Sequence, residues 1–134
     1  MVQKFRAYDG GSLSRMYQPD EVMVGNGNIW IIDEDSAAGE WIVNNDIHLM
    51  QSTGLFDRNG QEIFEGDIVT DGDMISDIKY HQTLGFYMIG KYGFSVPFGQ
   101  GVDVEYFEEF AVHVSKTFEV VGNIYENPEL LEEE

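Results

Sequence analysis

Turn-forming residues recur at short intervals along this chain and limit the length of any regular element between them. Asparagine, aspartate and glycine cluster at residues 25–28, 44–46, 57–60 and 71–73. Glycine adopts positive φ angles without steric cost, and aspartate and asparagine side chains cap tight turns. Runs rich in β-branched and aromatic residues lie between the clusters. Many short strands at this spacing predict a mainly β chain with minor α content, folded as a small barrel or curled sheet.

The clearest local prediction is a hairpin formed by Glu21–Val24 and Ile29–Ile32. Between them, Asn26 and Gly27 supply the two positive φ angles of a primed turn. The acidic and small residues that follow, 33–40, offer little apolar surface and predict an exposed loop. Further strands are predicted at Lys4–Tyr8, Trp41–Val43, Ile47–Ser52, Met74–His81, Gly85–Gly90 and Phe118–Tyr125, with residues 65–69 as a glycine-led entry into another.

Side-chain patterns within these segments predict which residues are buried. With Asp57 capping the turn that ends at Gly60, the residues Leu55, Ile63 and Phe64 should face the core. In Met74–His81, Ile78 and Tyr80 alternate with charged residues and should share one face. The run Phe86–Ile89 is apolar throughout, which predicts burial on both sides.

The C-terminal third contains the one ambiguous segment. Asp103–Val114 fits either a helical face or a strand, and we favour a helix with Asp103 as its cap. Residues 92–101 are rich in glycine, proline and aromatics, which predicts a loop. Pro128 should begin a short helical turn, because proline suits the first helical position.

The net charge limits the kinds of molecule that the protein is expected to bind. The 134 residues include 25 acidic and seven basic ones, for a net charge of −18. Such a surface repels phosphate backbones and anionic membranes, so direct nucleic-acid binding is not expected. The acidic surface favours solubility. Alternatively, it imitates nucleic acid and binds a basic partner protein. Apolar runs are far shorter than the roughly 20 residues of a membrane-spanning helix, and no signal peptide is expected.

No arrangement of reactive residues predicts an enzyme. Without cysteine there is no disulfide, thiol nucleophile or thiolate metal site, which suits a reducing cytoplasm. The three histidines are far apart in sequence, the serines lie in no nucleophile motif, and the carboxylate clusters match no calcium loop. We therefore predict no catalytic, cofactor-binding or metal-binding residue. A pair of facing carboxylates, as in some hydrolases, is the one catalytic route left open.

Aromatic residues suggest where a protein partner would bind. They are surrounded mainly by acids, which favours core or interface packing over nucleic-acid stacking. In the glycine-rich loop, Tyr92, Phe94 and Phe98 form the predicted protein-binding patch. Edge strands and aromatic residues also allow self-association into a homo-oligomer.

Three segments resemble the YopX family of phage and prophage proteins. They are Lys4–Asp9, Leu49–Val69 and Val120–Leu131, and the middle one contains Gly-Leu-Phe-Asp-Arg-Asn-Gly-Gln-Glu-Ile-Phe-Glu-Gly-Asp-Ile-Val. The resemblance implies one YopX-like domain with an SH3-like barrel core of short antiparallel strands at residues 48–127. An N-terminal β-hairpin subdomain at residues 1–47 would precede the core, and a C-terminal helical turn and acidic tail at residues 128–134 would follow it.

The resemblance carries no known chemistry and no functional residue. Together with the barrel-like pattern, it favours a phage- or prophage-encoded, non-enzymatic interaction module in the cytoplasm of a bacterial host, with an unidentified protein partner, host-encoded in the simplest case. The alternative is an acidic mimic of nucleic acid that inhibits a host DNA-binding protein.

Overall fold

The structure, a computed structural model, describes residues 4–11, 14–33, 35–83, 85–89, 95–97 and 104–132. The chain divides into two compact units, unit 1 (Met1–Gln51) and unit 2 (Ser52–Glu134). The predicted division at residues 47 and 127 stays a prediction. Most regular elements are strands, as the turn spacing predicts. None of the helices in the described part of the chain is long and apolar enough to cross a membrane.

Unit 1 is built from two sets of antiparallel strands. Its strands are β1 (Phe5–Asp9), β2 (Arg15–Tyr17), β3 (Val22–Gly25), β4 (Asn28–Ile32), β5 (Trp41–Val43) and the first residues of β6 (His48–Phe56). The first set places β1 between β2 and β6, and the second has the order β3-β4-β5. A core of buried residues lies in this unit, comprising Ala7, Tyr17, Val22, Ile31 and Ile47.

The predicted hairpin is confirmed. Asn26 and Gly27 have φ angles of 53° and 76°, so both turn residues occupy the left-handed region that a primed turn requires. The described residues of the predicted loop at 33–40 are mostly exposed. Strand β2 is an element that the sequence did not predict, since it is only three residues long.

Unit 2 contains the larger core. Its strands are the remainder of β6, then β7 (Glu62–Phe64), β8 (Asp67–Thr70), β9 (Ile75–Asp77), β10 (Lys79–His81), β11 (Gly85–Ile89), β12 (Ser95–Pro97) and β13 (Glu119–Asn123). They pair as β6-β7, β13-β8-β9 and β10-β11-β12, all antiparallel. The helix α1 (Val104–Thr117) precedes β13, and a short 3₁₀ helix covers Pro128–Leu131.

The helix predicted over the ambiguous segment is confirmed, whereas its predicted cap, Asp103, lies outside the described residues. Leu55, Ile63 and Phe64 are buried as predicted. The unit 2 core consists of Leu55, Ile63, Val69, Ile78, Phe86, Met88, Val114 and Phe118.

Three predictions for unit 2 are wrong. The segment Met74–His81 is two strands, because the backbone of Ile78 bonds to residues 66 and 67 instead of continuing either strand. Ile78 is therefore buried at 1% exposure, while Tyr80 is 42% exposed. In β11 only Phe86 and Met88 are buried, because the strand has a core on one face alone. Residues 95–97 of the predicted loop form β12.

A tyrosine-lined groove in unit 2

The candidate functional site is a groove in unit 2, which we call the tyrosine groove. Its volume is about 310 Å³. Four chain segments form it: the turn before β8, the junction of β9 and β10, strand β11, and the residues after β13. The groove is lined by Glu65, Gly66, Asp77, Ile78, Lys79, Tyr80, Tyr87, Ile124 and Tyr125.

Backbone hydrogen bonds hold the floor of the groove in place. The amide of Gly66 donates to the carbonyl of Ile78 at 2.8 Å, and the amide of Ile124 donates to the carbonyl of Gly66 at 2.9 Å. Gly66 has a φ of 88°, which a residue with a side chain adopts only with strain. The segments that contain Gly66, Ile78 and Ile124 are thus joined directly through their main chains.

Strand pairing places two of the tyrosines. In the β10–β11 pair, Lys79 lies opposite Tyr87, and Tyr80 lies opposite Phe86. The rings of Tyr80 and Phe86 are 5.0 Å apart and tilted by 58°, a favourable aromatic geometry. Because Phe86 is buried in the core, this contact holds the more exposed Tyr80 ring in position.

Among the charged groups that line the groove, carboxylates outnumber ammonium groups. Glu65 and Asp77 contribute two carboxylates, and Lys79 contributes one ammonium group. The Nζ of Lys79 lies 3.2 Å from Oδ2 of Asp77, where the lysine side chain is 39% exposed and the aspartate 14%. Partial burial and, to a smaller extent, the charge of Glu65 raise the pKa of Tyr125 above its ordinary value. The Tyr125 phenol therefore stays protonated throughout the neutral range.

Several carboxylates of unit 2 accept hydrogen bonds from the backbone. Oδ1 of Asp71 accepts hydrogen bonds from the amides of Asp73 and Met74, both at 2.9 Å. Asp57 and Asp67 are 2% and 1% exposed and also accept backbone amides. Within the described ranges, no group of three or more histidine, aspartate or glutamate residues is placed to hold a metal ion.

The histidines lie on separate elements. His48 is an exposed residue of β6, His81 accepts a hydrogen bond from the amide of Thr83, and His113 is exposed on α1. The predicted binding patch of Tyr92, Phe94 and Phe98 lies outside the described residues. The tyrosine groove was missed because its lining residues are spread from position 65 to 125 and no local motif connects them.

Described residues of unit 1 also line cavities, and two of them differ in character from the tyrosine groove. One, of about 200 Å³, is lined partly by Asp9 and Asp33, whose carboxylates accept the amides of Gly11 and Asp35. The other, of about 550 Å³, lies beside the exposed Met23. Neither combines several tyrosines with a hydrogen-bonded backbone floor, so the groove in unit 2 is the better candidate.

Comparisons with known proteins agree over the length of the chain. The family model described as YopX protein matches residues 4–132. Among solved structures, the crystal structure of protein EF1440 from Enterococcus faecalis is similar, with a TM-score of 0.59 and 27% sequence identity. That match covers 98% of this chain and 99% of the other. No curated protein gives a significant match. Since the family model spans nearly every residue, this chain belongs to the YopX family.

Proposed function

We propose that this protein is a non-enzymatic interaction module that binds a segment of another protein in the tyrosine groove. The observation that carries the proposal is a groove lined by three tyrosines, Tyr80, Tyr87 and Tyr125, together with the backbone-bonded Gly66, Ile78 and Ile124. Tyrosine is enriched at protein interfaces because its ring supplies apolar contact area and its hydroxyl a hydrogen bond.

A floor joined by main-chain hydrogen bonds reduces the cost of binding. Association is opposed by the ordering of mobile side chains and loops, so a site that is already formed retains more of its interaction energy. Gly66, Ile78 and Ile124 supply such a floor. The use of Asp57, Asp67 and Asp71 as backbone acceptors supports a structural role for these carboxylates over a catalytic one.

The fold of unit 2, the origin of the protein and its location are proposed on separate grounds. We propose that unit 2 is an SH3-like barrel, supported by its short antiparallel pairs and by the core that its described residues form. We also propose that a phage or prophage encodes the protein, that it acts in the cytoplasm of the bacterial host, and that its partner is a host protein. Family membership and the acidic, cysteine-free composition support this setting.

Affinity capture from a bacterial host lysate, quantified by mass spectrometry, tests the proposal. A partner retained by the wild-type protein should be lost with Tyr80→Ala and Tyr87→Ala but kept with Tyr8→Ala, a tyrosine outside the groove. Amide spectra of each variant verify the fold. Retention of every partner by the groove variants would contradict the proposal, as would repeated failure to capture a partner.

A second candidate function rests on charge. Unit 1 holds eight acidic and three basic residues, and unit 2 holds the other 17 acidic and four basic. An acidic surface of this kind could occupy the DNA-binding face of a basic host protein. This candidate requires competition with duplex DNA for that protein, weakening as salt is added. Binding that is indifferent to both DNA and salt would exclude it.

A further inference from the structure

We infer that the tyrosine groove takes an arginine from an extended segment of the partner, with the guanidinium group lying against a tyrosine ring and facing Glu65. This inference rests on the proposed function and adds the chemistry of the bound segment to it. A cation is attracted to the face of an aromatic ring, and arginine binds carboxylates through a planar fork of donors.

Charge on the groove lining favours a cationic side chain. The lining contains two carboxylates, Glu65 and Asp77, and one ammonium group, that of Lys79, which lies 3.2 Å from Asp77. The charge of Glu65 acts within the groove, since it contributes to the raised pKa of Tyr125. With a net charge of −18, the chain as a whole also attracts a basic partner segment.

Unit 1 of this chain contains the same combination of groups in assembled form. The guanidinium carbon of Arg15 lies 4.1 Å from the ring centroid of Tyr17. Nη2 of the same arginine donates a hydrogen bond to Oε2 of Glu21 at 2.8 Å. A tyrosine face and a glutamate therefore receive one guanidinium group within this protein. Three tyrosines and a glutamate also line the tyrosine groove.

The groove also fits an extended backbone better than a helix. Its lining comes from four segments and includes the half-buried Glu65 and Tyr125 and the more exposed Tyr80. A volume of about 310 Å³ accommodates a few side chains but not a helix with its side chains, which is about 10 Å in diameter.

Amide chemical-shift titration of the full-length protein tests the inference. The probes are the peptide Ac-Ala-Pro-Arg-Pro-Ala-NH₂, whose prolines keep the arginine extended, and the same peptide with uncharged citrulline in place of arginine. We expect the arginine peptide to shift the amides of Gly66, Ile78 and Ile124 and to bind about tenfold more tightly than the citrulline peptide. Equal affinity, shifts centred elsewhere, or no binding at millimolar peptide would overturn the inference.

A matched pair of variants tests whether the carboxylate of Glu65 contributes to binding of the arginine peptide. Glu65→Gln should weaken the arginine peptide about tenfold and leave the citrulline peptide unchanged, whereas Glu129→Gln, an exposed glutamate outside the groove, should alter neither. In affinity capture, a partner that is lost with Tyr80→Ala but kept with Glu65→Gln would contradict this inference alone. A partner that both variants still retain would contradict the proposed function itself.

Discussion

At the residue scale, one buried carboxylate joins two distant parts of unit 2. Oδ1 of Asp57 accepts hydrogen bonds from the amides of Asn59 and Gln61, at 2.9 and 2.8 Å, and Oδ2 accepts the amide of Val120 at 2.9 Å. The amide of Arg58 also donates to the carbonyl of Phe118. The predicted turn cap is therefore confirmed, and the same side chain also holds the turn against β13.

Replacing Asp57 should be costly because it leaves buried amides without an acceptor. We expect Asp57→Ala to lower the free energy of unfolding by about 3 kcal/mol, and Asp57→Asn, which keeps one acceptor oxygen, by about half as much. Urea denaturation measures both. Asp73→Asn, with an exposed side chain, is the control and should change stability by less than about 0.5 kcal/mol. An equally stable Asp57→Ala variant would show that these bonds contribute little.

Tyr125 gives a residue-scale prediction about pH. Its pKa is raised first by burial and second by Glu65. In Glu65→Gln, the pKa should fall toward the ordinary value of 10.0 without reaching it, because the larger cause remains. Titration of the tyrosine ring carbons by NMR measures the change, with Glu129→Gln as control. An unchanged pKa would contradict the placement of Glu65 beside the phenol.

The same pKa has a consequence for stability in alkaline solution. A raised folded-state pKa means that the unfolded chain ionises first as the pH increases. The contribution of Tyr125 is therefore fully present below pH 10.0 and is lost as the pH rises through the folded-state pKa. As the pH rises above 10.0, the urea midpoint of Tyr125→Phe should therefore fall less than that of the wild type. Urea denaturation at successive pH values measures the difference.

At the element scale, the end of β13 depends on a close approach between backbone and side chain. The pairing of β13 with β8 shifts register between Val120 and Gly122. Oδ1 of Asn127 then accepts the amide of Asn123 at 3.2 Å. A Cβ atom built on Gly122 would lie 2.6 Å from Oδ1 and 2.9 Å from Cβ of Asn127. A side chain at this position is incompatible with the turn that follows β13.

Gly122→Ala tests this packing. We expect a loss of about 1–3 kcal/mol in the free energy of unfolding, because Cβ of Asn127 belongs to the fixed part of that side chain and cannot rotate away. Gly25→Ala is the matched control, since a Cβ there meets nothing within 4 Å. Gly122→Ala should also disturb the tyrosine groove, because Ile124 and Tyr125, which line the groove, lie only two and three residues after Gly122. Equal stability of the two variants would contradict the predicted clash.

At the scale of the whole molecule, an excess of acidic residues opposes folding in both units. Like charges at close range repel one another, and salt reduces this repulsion as the Debye length falls from about 10 Å at 0.1 M to about 3 Å at 1 M. We expect the urea midpoint to rise as sodium chloride is added at pH 7. Near the isoelectric point of about 4.1, the same addition should have a smaller effect. A midpoint that falls with salt at pH 7 would indicate that favourable ion pairs dominate.

Much of the local structure could be predicted from the sequence. The hairpin at Asn26–Gly27, the cap at Asp57 and the turn at Pro128 depend on the φ preferences and side-chain acceptors of the residues themselves. The break at Ile78 could not be predicted, since it arises from hydrogen bonds to Gly66 and Asp67. The one-sided burial of β11 likewise depends on where the core lies.

The sequence by itself determined the placement of most strands, favoured the helix over a strand, and fixed the acidic character and the family. Those properties depend on local conformational preference, on composition and on motifs read along the chain. The tertiary structure alone decided that β8 pairs with β13, about 50 residues later, and that Glu65, Tyr80, Tyr87 and Tyr125 line one groove. Such contacts depend on which strands pair and in which register, and no periodicity within a single segment contains that information.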